Sequence, residues 1–306
     1  MMTKLDRYFL LLLAGAVALA SWYNRDFQAV KEPVVEQVKK VSKKVVKVEK
    51  KIQTDIPDFA AIMDVKKKKS EFFAFMRQMI DNENERLASI RQEVEMLREK
   101  PALHETEEKW LIDIARKFRV DEELRVSDEL YDDLLNRVDE IPVSLALVQA
   151  ANESAWGTSR FAVDANNYFG QWCFTPGCGV VPGARPEGAT YEVRSFSSPA
   201  ASVRSYMHNL NTSHHYDGLR ELRSKRRVVG EPVTGPLLAQ GLYSYSIRGV
   251  DYVEELISMI ESNGLLKYDL EKPLTELNEV RDDQSNIMAI GTIYIADASV
   301  TGGPVQ

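Results

Sequence analysis

The chain contains 306 residues, of which 44% are hydrophobic and 28% charged, with a formal net charge of −7 at pH 7. These proportions are ordinary for a globular protein, and the 4 Trp, 12 Tyr and 11 Phe residues exclude a wholly disordered chain. One apolar run excludes a multi-span membrane protein. The first 52 residues carry 11 basic and 5 acidic side chains, and no later segment is strongly basic, so no nucleic-acid partner is expected.

The N-terminus has the arrangement of an export signal. Lys4 and Arg7 precede an uncharged stretch whose apolar centre ends in Ala18-Leu19-Ala20. This order predicts that residues 1–23 are a secretory signal peptide. An uncleaved membrane anchor is the alternative, because the run is about as long as the shortest bilayer-spanning helices. Either interpretation exports the rest of the chain.

Four regions follow the signal. Residues 24–56 interleave valines with eight lysines, which predicts a linker. In 57–100 the apolar residues recur at three- and four-residue steps, which predicts a long helical arm. Residues 101–270 are expected to form one domain, with 271–306 as a tail.

The domain is predicted to be mainly α. The stretch 157–198 is rich in Gly, Pro and Asn, with a short alternation at 189–193, which predicts loops and a small β-hairpin. The fold class is therefore an α-lobe with a small β or loop lobe, preceded by the helical arm. Hydrophobic periodicity places helices, after the arm, at 104–120, 129–138, 144–154, 199–210 and 251–262.

Two cysteines, Cys173 and Cys178, flank a Pro-Gly turn. Two cysteines alone do not make a four-ligand zinc site, so no metal is expected. The turn brings the two sulfurs towards each other, which favours a disulfide in an oxidising compartment. A pair of free thiols is the alternative.

Glu153 is the candidate acid. It lies near the end of the helix predicted at 144–154 and is followed by Trp156. The negative end of the helix dipole and burial beside an indole both raise the pKa of a carboxyl group. A carboxylic acid still protonated near neutral pH is what a departing glycosidic oxygen requires. A glutamate that only hydrogen-bonds a loop is the alternative.

The segment after Glu153 is rich in aromatic residues. Aromatic faces stack on sugar rings, and amide side chains bond sugar hydroxyls; a small second core beneath the loops is the alternative. The candidate substrate-binding residues are Trp156, Asn167, Tyr168, Phe169, Trp172 and Tyr191.

Two motifs here resemble those of a known family. Residues 150–159, Ala-Ala-Asn-Glu-Ser-Ala-Trp-Gly-Thr-Ser, and residues 165–170, Ala-Asn-Asn-Tyr-Phe-Gly, are similar to glycoside hydrolase family 73, the bacterial β-N-acetylglucosaminidases that include flagellar peptidoglycan hydrolases. The insert Trp-Cys-Phe-Thr-Pro-Gly-Cys and the Lys-rich start of the arm resemble the Bax subgroup of Gram-negative bacteria. The resemblance implies a lysozyme-like α-lobe, a periplasmic location, peptidoglycan glycan strands as substrate and no cofactor.

The resemblance also implies roles for single residues. Glu153 corresponds to the general acid, and Tyr245 to a tyrosine that helps to hold the reacting centre. The second carboxylate of the family has no clear counterpart, and Glu192 and Glu187 are the nearby candidates. Without one, the substrate's own 2-acetamido group would attack the anomeric carbon.

The expected activity is hydrolysis of the β-1,4 bond after N-acetylglucosamine. Cleavage on the muramic acid side, by a muramidase or lytic transglycosylase, is one alternative, and a non-catalytic cell-wall-binding protein is another. The N-terminal segment is the expected contact with the inner membrane. The basic run 220–227 is expected to be a solvated helix face, with contact to peptide carboxylates of peptidoglycan as the alternative.

Overall fold

The computed structural model describes most of the central part of the chain. The predicted signal, the predicted tail and all but the end of the predicted linker lie outside the described residues. Among the helices that are described, none is long and apolar enough to cross a membrane. The described residues are 55–120, 125–183, 185–243, 245–246 and 248–270.

The described residues form a mainly α fold with one small sheet, as the sequence predicts. A short 3-10 turn, His214–Tyr216, lies between the helices Pro199–Thr212 and Asp217–Val228. The elements are α1 (Val65–Arg98), α2 (Glu105–Lys117), α3 (Asp128–Arg137), α4 (Val143–Glu153), α5 (Arg160–Ala165), β1 (Trp172–Cys173), β2 (Gly179–Val180), β3 (Glu192–Arg194), α6 (Pro199–Thr212), α7 (Asp217–Val228), α8 (Gly235–Ala239), α9 (Val250–Ser262) and α10 (Lys267–Leu270).

The predicted helical arm is part of the core. Helix α1 begins after Asp64, whose side chain accepts a hydrogen bond from the Lys67 amide at 2.7 Å. Its apolar face packs against α3, α4 and α6. Phe59 lies before the helix rather than in it, buried edge-on against Phe72 and Phe75. The boundary predicted at residue 100 therefore does not separate an arm from a domain.

Helix α4 lies at the centre of the fold. All of its residues from Ser144 to Ala151 are buried, and it contacts α1, α8, α9 and α10. A helix that is apolar on all sides is stable only inside a core. Its N-terminus is fixed by Asp269, whose carboxylate accepts hydrogen bonds from the amide and the hydroxyl of Ser144 at 2.9 and 2.5 Å. Glu153 is thus held at the far end of a rigid, buried helix.

The small sheet has the strand order β1-β3-β2, with both outer strands antiparallel to β3. A disulfide between Cys173 and Cys178 closes the connection from β1 to β2. Gly179 is required in β2, because a Cβ atom there would lie 1.9 Å from the carbonyl oxygen of Val193. In the resulting lobe, β1 and β2 are joined by a disulfide-closed loop, and both pair with the returning strand β3 between them.

The basic run 220–227 is not simply a solvated helix face. Arg220 and Arg223 are 2% and 1% exposed. Arg220 donates to the carbonyl oxygens of Leu210 and Ser213, and Arg223 donates to that of Glu140. These side chains satisfy the carbonyls at helix ends and loops, because buried guanidinium groups need acceptors. The expectation of a solvated face is wrong for both residues.

Candidate active site

A tight chain reversal follows Glu153 at the end of α4. Ala155 and Trp156 adopt left-handed backbone conformations, with φ of 50° and 60°, and Gly157 continues the reversal with φ of 76°. A Cβ atom on Gly157 would lie 2.5 Å from the ring of Phe59, so only glycine fits. Left-handed conformations at non-glycine residues are strained and are common at functional sites. The reversal ends α4 abruptly and leaves the Glu153 side chain at its terminus.

The carboxyl group of Glu153 is half-buried and hydrogen-bonded. Its Oε1 accepts a hydrogen bond from the hydroxyl of Tyr252 at 2.9 Å. On the other side, a Cβ atom at Gly170 would lie 3.4 Å from Oε2, so Gly170 keeps the space beside that oxygen open. Burial raises the pKa of Glu153, and the hydrogen bond from Tyr252 offsets part of this rise. The group therefore keeps its proton to a higher pH than an exposed glutamate does.

A buried hydrogen-bond chain orients the Tyr252 hydroxyl. This oxygen accepts a hydrogen bond from Nε2 of Gln149 at 3.0 Å, and Oε1 of Gln149 accepts one from the hydroxyl of Tyr206 at 2.6 Å. All three side chains are buried. Burial raises the pKa values of Tyr206 and Tyr252, so both phenols stay protonated and donate. These hydrogen bonds fix the orientation of the Tyr252 hydroxyl, which donates to Glu153.

Tyr245 packs beside Tyr252. The two rings are parallel within 3°, with centroids 5.7 Å apart. The Tyr245 hydroxyl donates to the carbonyl oxygen of Phe169 at 2.9 Å, which ties the loop before α9 to the Asn-Asn-Tyr-Phe-Gly segment. The structure thus places the Tyr245 ring next to that of Tyr252, the tyrosine whose hydroxyl binds Glu153.

Three of the predicted substrate-binding residues lie in the interior. Asn167, Tyr168 and Phe169 are 1%, 1% and 2% exposed. Asn167 bonds the carbonyl oxygens of Gln171 and Arg194, and the Phe169 ring stacks on Tyr206 with centroids 4.0 Å apart. The prediction that these three side chains bind sugar is therefore wrong, because no free face is left. They form the second core that was the alternative.

Trp156 contacts α1. Its half-buried ring lies edge-on to Phe72 and Phe73, with centroids 5.8 and 5.2 Å away, and the Lys69 ammonium lies 4.8 Å from its centre. The indole therefore anchors the reversal after Glu153 to the long helix.

Trp172 and Tyr191 remain at the surface of the small lobe. Trp172 is 42% exposed, and its ring stacks on that of Tyr191 with centroids 4.1 Å apart. An exposed, pre-stacked aromatic pair has a flat apolar face, which is the surface that a sugar ring requires. Of the six predicted substrate-binding residues, these two have the most suitable placement.

The Glu192 side chain is buried and holds a loop in place. Its carboxylate is 7% exposed and accepts hydrogen bonds from the backbone amides of Gly177 and Gly179 at 3.0 and 2.8 Å. These backbone donors lower the pKa of Glu192. Both oxygens thus hold the disulfide-closed loop, which argues against the predicted role as a water-activating carboxylate. Glu187 is exposed in a turn.

One group of potential metal ligands occurs among the described residues. Cys173, Cys178 and Glu192 have their ligand atoms within 4.8 Å of one another. The two sulfurs are joined in a disulfide, so neither is available as a thiolate ligand. The group therefore does not fit a zinc site in this state.

The sequence predictions missed the partners of Glu153. Tyr252 is 99 residues away from it in the chain. Gln149 offered a signal, because a glutamine inside an otherwise apolar, small-residue helix must find buried partners. Glu255, one turn beyond Tyr252 on α9, forms an ion pair with Arg248 at 2.6 Å, and its charge also raises the pKa of Glu153.

Part of the chain that contains this site resembles a known protein family. Residues 128–265 match the sequence model of the glucosaminidase family, described as mannosyl-glycoprotein endo-β-N-acetylglucosaminidase. That segment runs from α3 to just beyond α9 and contains Glu153, Tyr245 and Tyr252. Residues 128–265 thus resemble a glucosaminidase-family domain.

The chain is also similar to Protein bax from Escherichia coli (strain K12). The two are 36% identical over 153 residues, which cover 50% of this chain and 54% of that protein. The chain therefore spans about half the length of the curated relative that it matches. The predicted resemblance to Bax-like glucosaminidases is confirmed. No solved structure shows a significant match.

Proposed function

We propose that this protein is a peptidoglycan hydrolase, an endo-β-N-acetylglucosaminidase that cleaves the β-1,4 bond after N-acetylglucosamine. Glu153 is the proposed general acid. The observation that carries the proposal is the carboxyl group at the end of α4, which is half-buried, has a raised pKa and is oriented by Tyr252. A protonated carboxyl group in a glucosaminidase domain is suited to protonating the leaving oxygen.

Substrate assistance is the mechanism that the surroundings favour. The Glu192 carboxylate is engaged by two backbone amides, and Glu255 is held in an ion pair with Arg248. The 2-acetamido oxygen of the substrate is therefore proposed to take the place of a second carboxylate. It attacks the anomeric carbon while Glu153 transfers its proton to the leaving oxygen, and the glycosidic bond breaks. The Glu153 carboxylate then removes a proton from water, which opens the cyclic intermediate and restores the acid. Tyr245 is proposed to help hold the reacting centre.

A lytic transglycosylase is the second candidate. An acid that acts with the substrate's own 2-acetamido group also suits that reaction, in which the 6-hydroxyl of the muramic acid residue, rather than water, attacks the anomeric carbon. The two reactions leave different ends on the glycan, so the products distinguish them.

Mass spectrometry of products from purified peptidoglycan tests the assignment. Wild-type protein should release fragments with reducing N-acetylglucosamine ends, and Glu153→Gln should release almost none while it still binds the glycan. Glu108→Gln, on the exposed face of α2, is the matched control and should behave as wild type. Anhydro ends would favour the transglycosylase, and reducing muramic acid ends a muramidase. Binding without any cleavage by wild type would identify a cell-wall-binding protein.

A periplasmic location, with contact to the inner membrane through the N-terminal segment, completes the proposal. The support is the order of basic residues and apolar run at positions 1–23. Fractionation of cells followed by N-terminal sequencing of the mature protein tests both parts. Recovery of the full chain from the cytosol would contradict the proposed location.

A further inference from the structure

A basic pocket lies between the first half of α1 and the end of the described chain at α10. Its volume is about 540 Å³, within the usual range of ligand pockets. Four cations from these two elements line it, and no acidic residue is among the described residues that do so. The residues on which the argument depends are Lys66, Lys69, Arg77, Lys267, Phe73 and Tyr268.

Aromatic rings hold three of these cations in place. The Arg77 guanidinium lies 4.0 Å from the centre of the Tyr268 ring, and the Lys267 ammonium lies 4.9 Å from the same centre. The Lys69 ammonium lies over Trp156. Arg77 also pairs with Asp81 at 3.2 Å. The Asp81 carboxylate offsets the charge of Arg77, whereas the cation–π contacts of Lys69 and Lys267 orient these ammonium groups without neutralising them. Like charges collected in a concave site repel one another, and a bound anion relieves that repulsion.

The pocket adjoins the chain reversal that follows the candidate acid. Trp156 is three residues beyond Glu153, and three residues span at most roughly 11 Å. The Lys69 ammonium lies 4.8 Å from the Trp156 ring. Lys69 therefore contacts the same short chain segment that presents Glu153.

We propose that this pocket binds the carboxylates of the peptides that the glycan substrate carries, so that the protein prefers peptide-bearing strands. This proposal rests on the proposed function. A peptide of four or five residues extends roughly 13–17 Å, which is enough to pass the reversal. Ammonium and guanidinium groups form strong charge-assisted hydrogen bonds with carboxylates. Phe73, which also lines the pocket, adds apolar surface beside the cations.

Kinetics of the full chain on two substrates test the proposal. The substrates are glycan strands that retain their peptides and the same strands after an amidase has removed them. The double variant Lys69→Ala/Lys267→Ala should lose about tenfold in kcat/KM on peptide-bearing strands, mainly through KM, and be unchanged on bare strands. Lys67→Ala is the matched control, because this exposed lysine on α1 pairs with Glu71 outside the pocket. Equal losses on both substrates, or no loss on either, would overturn the proposal.

Binding measurements separate this proposal from the proposed function. If wild type cleaves neither substrate, the hydrolase assignment fails, and calorimetric titration with peptide-bearing and bare oligosaccharides still tests the pocket. Wild type should bind the peptide-bearing form about tenfold more tightly, and the double variant should bind both equally. A double variant that keeps this preference but loses binding to vesicles of anionic phospholipid would overturn the proposal and assign the pocket to the membrane surface.

Discussion

Two regions of this protein hold a glutamate in opposite electrostatic environments. In the helical body, Glu153 is half-buried, receives side-chain hydrogen bonds that include one from Tyr252, and has a raised pKa. In the disulfide-closed lobe, Glu192 receives two backbone amide hydrogen bonds, and its pKa is lowered. Burial with few donors favours the neutral acid, whereas backbone donors favour the carboxylate.

The contrast shows how the same type of side chain serves two purposes in one protein. A neutral carboxyl group has a proton to give, which is the requirement for a general acid. An ionised carboxylate with both oxygens occupied by backbone amides is a loop anchor. Environments that push the pKa values of two carboxyl groups apart are a recurring basis for assigning their roles.

The largest expected effect comes from the paired variants Glu153→Gln and Glu192→Gln. Glu153→Gln should lower kcat by about 10²–10⁴-fold with no loss of thermal stability, because the amide removes the proton but fills the same space. Glu192→Gln should keep kcat within a few-fold of wild type and lower the melting temperature, because the charge-assisted bonds to Gly177 and Gly179 are weakened. Turnover on peptidoglycan and differential scanning calorimetry measure both. An equal loss of kcat in Glu192→Gln, without a change in melting temperature, would make Glu192 a catalytic base.

Removal of the hydrogen bond from Tyr252 tests whether the environment of Glu153 sets its pKa. Activity requires protonated Glu153, so the rate should fall as the pH rises through its pKa. Tyr252→Phe removes the donor that offsets part of the burial effect, so this alkaline limb should move to higher pH. The rate at the optimum should fall by about 10-fold to 100-fold, because Glu153 becomes a carboxylate as it transfers its proton and a hydrogen bond to a charged group contributes about 1.5–3 kcal/mol. A pH–rate profile provides the measurement.

Tyr243→Phe is the control for that profile. Tyr243 is 52% exposed in the loop before α9. Its variant should reproduce the wild-type profile. A Tyr252→Phe profile that falls in rate without moving would mean that Tyr252 only packs against the site.

The surface of the small lobe should affect binding rather than the chemical step. Trp172→Ala removes the exposed half of the stacked pair with Tyr191, so KM for glycan strands should rise about 3-fold to 10-fold with kcat unchanged. Phe174→Ala, in the same loop and 38% exposed, is the control. Steady-state kinetics on chains of defined length measure the effect. An unchanged KM would show that Trp172 in this lobe is not part of the substrate-binding surface.

The sequence predicted the parts of this site that are local in the chain. The apolar pattern of α4 and its abrupt end at a Trp-Gly reversal identify Glu153 as a residue presented by a buried helix. Cys173 and Cys178 bracket a Pro-Gly turn, and the structure joins them. Both features depend on short-range geometry, which a sequence pattern contains.

The long-range parts were not predictable in the same way. The hydrogen bond between Glu153 and Tyr252 depends on how α9 docks against α4, and no periodicity reports that register. The aromatic residues after Glu153 share a composition, but Phe169 became core and Trp172 stayed exposed. Which face of a loop is covered depends on the helices that pack over it.

A third glutamate separates a raised pKa from catalysis. Glu93 is 4% exposed on α1, and its Oε2 has no hydrogen-bond partner among the described residues. Burial raises its pKa to about 7, with the nearby charge of Lys100 as a smaller opposing effect. The folded state therefore holds a proton that the unfolded chain loses near pH 4.5. The contribution of Glu93 to stability is therefore greatest below that pH and is lost as the pH rises through 7, by up to about 3 kcal/mol.

Urea unfolding at pH 5 and pH 8 measures this loss for wild type and for Glu93→Gln. The amide has no proton to lose, so wild type should lose stability relative to the variant between pH 5 and pH 8. Burial lowers the pKa of His208 to about 4, which adds an opposite slope that both proteins share. The kcat of the variant should stay at the wild-type value. The same slope in both proteins would mean that Glu93 is ionised in the fold. Burial alone is sufficient to raise the pKa of Glu93, so a raised pKa does not identify an acid catalyst. The additional feature at Glu153 is its position at the open end of α4, where Tyr252 orients it and Gly170 leaves space beside it.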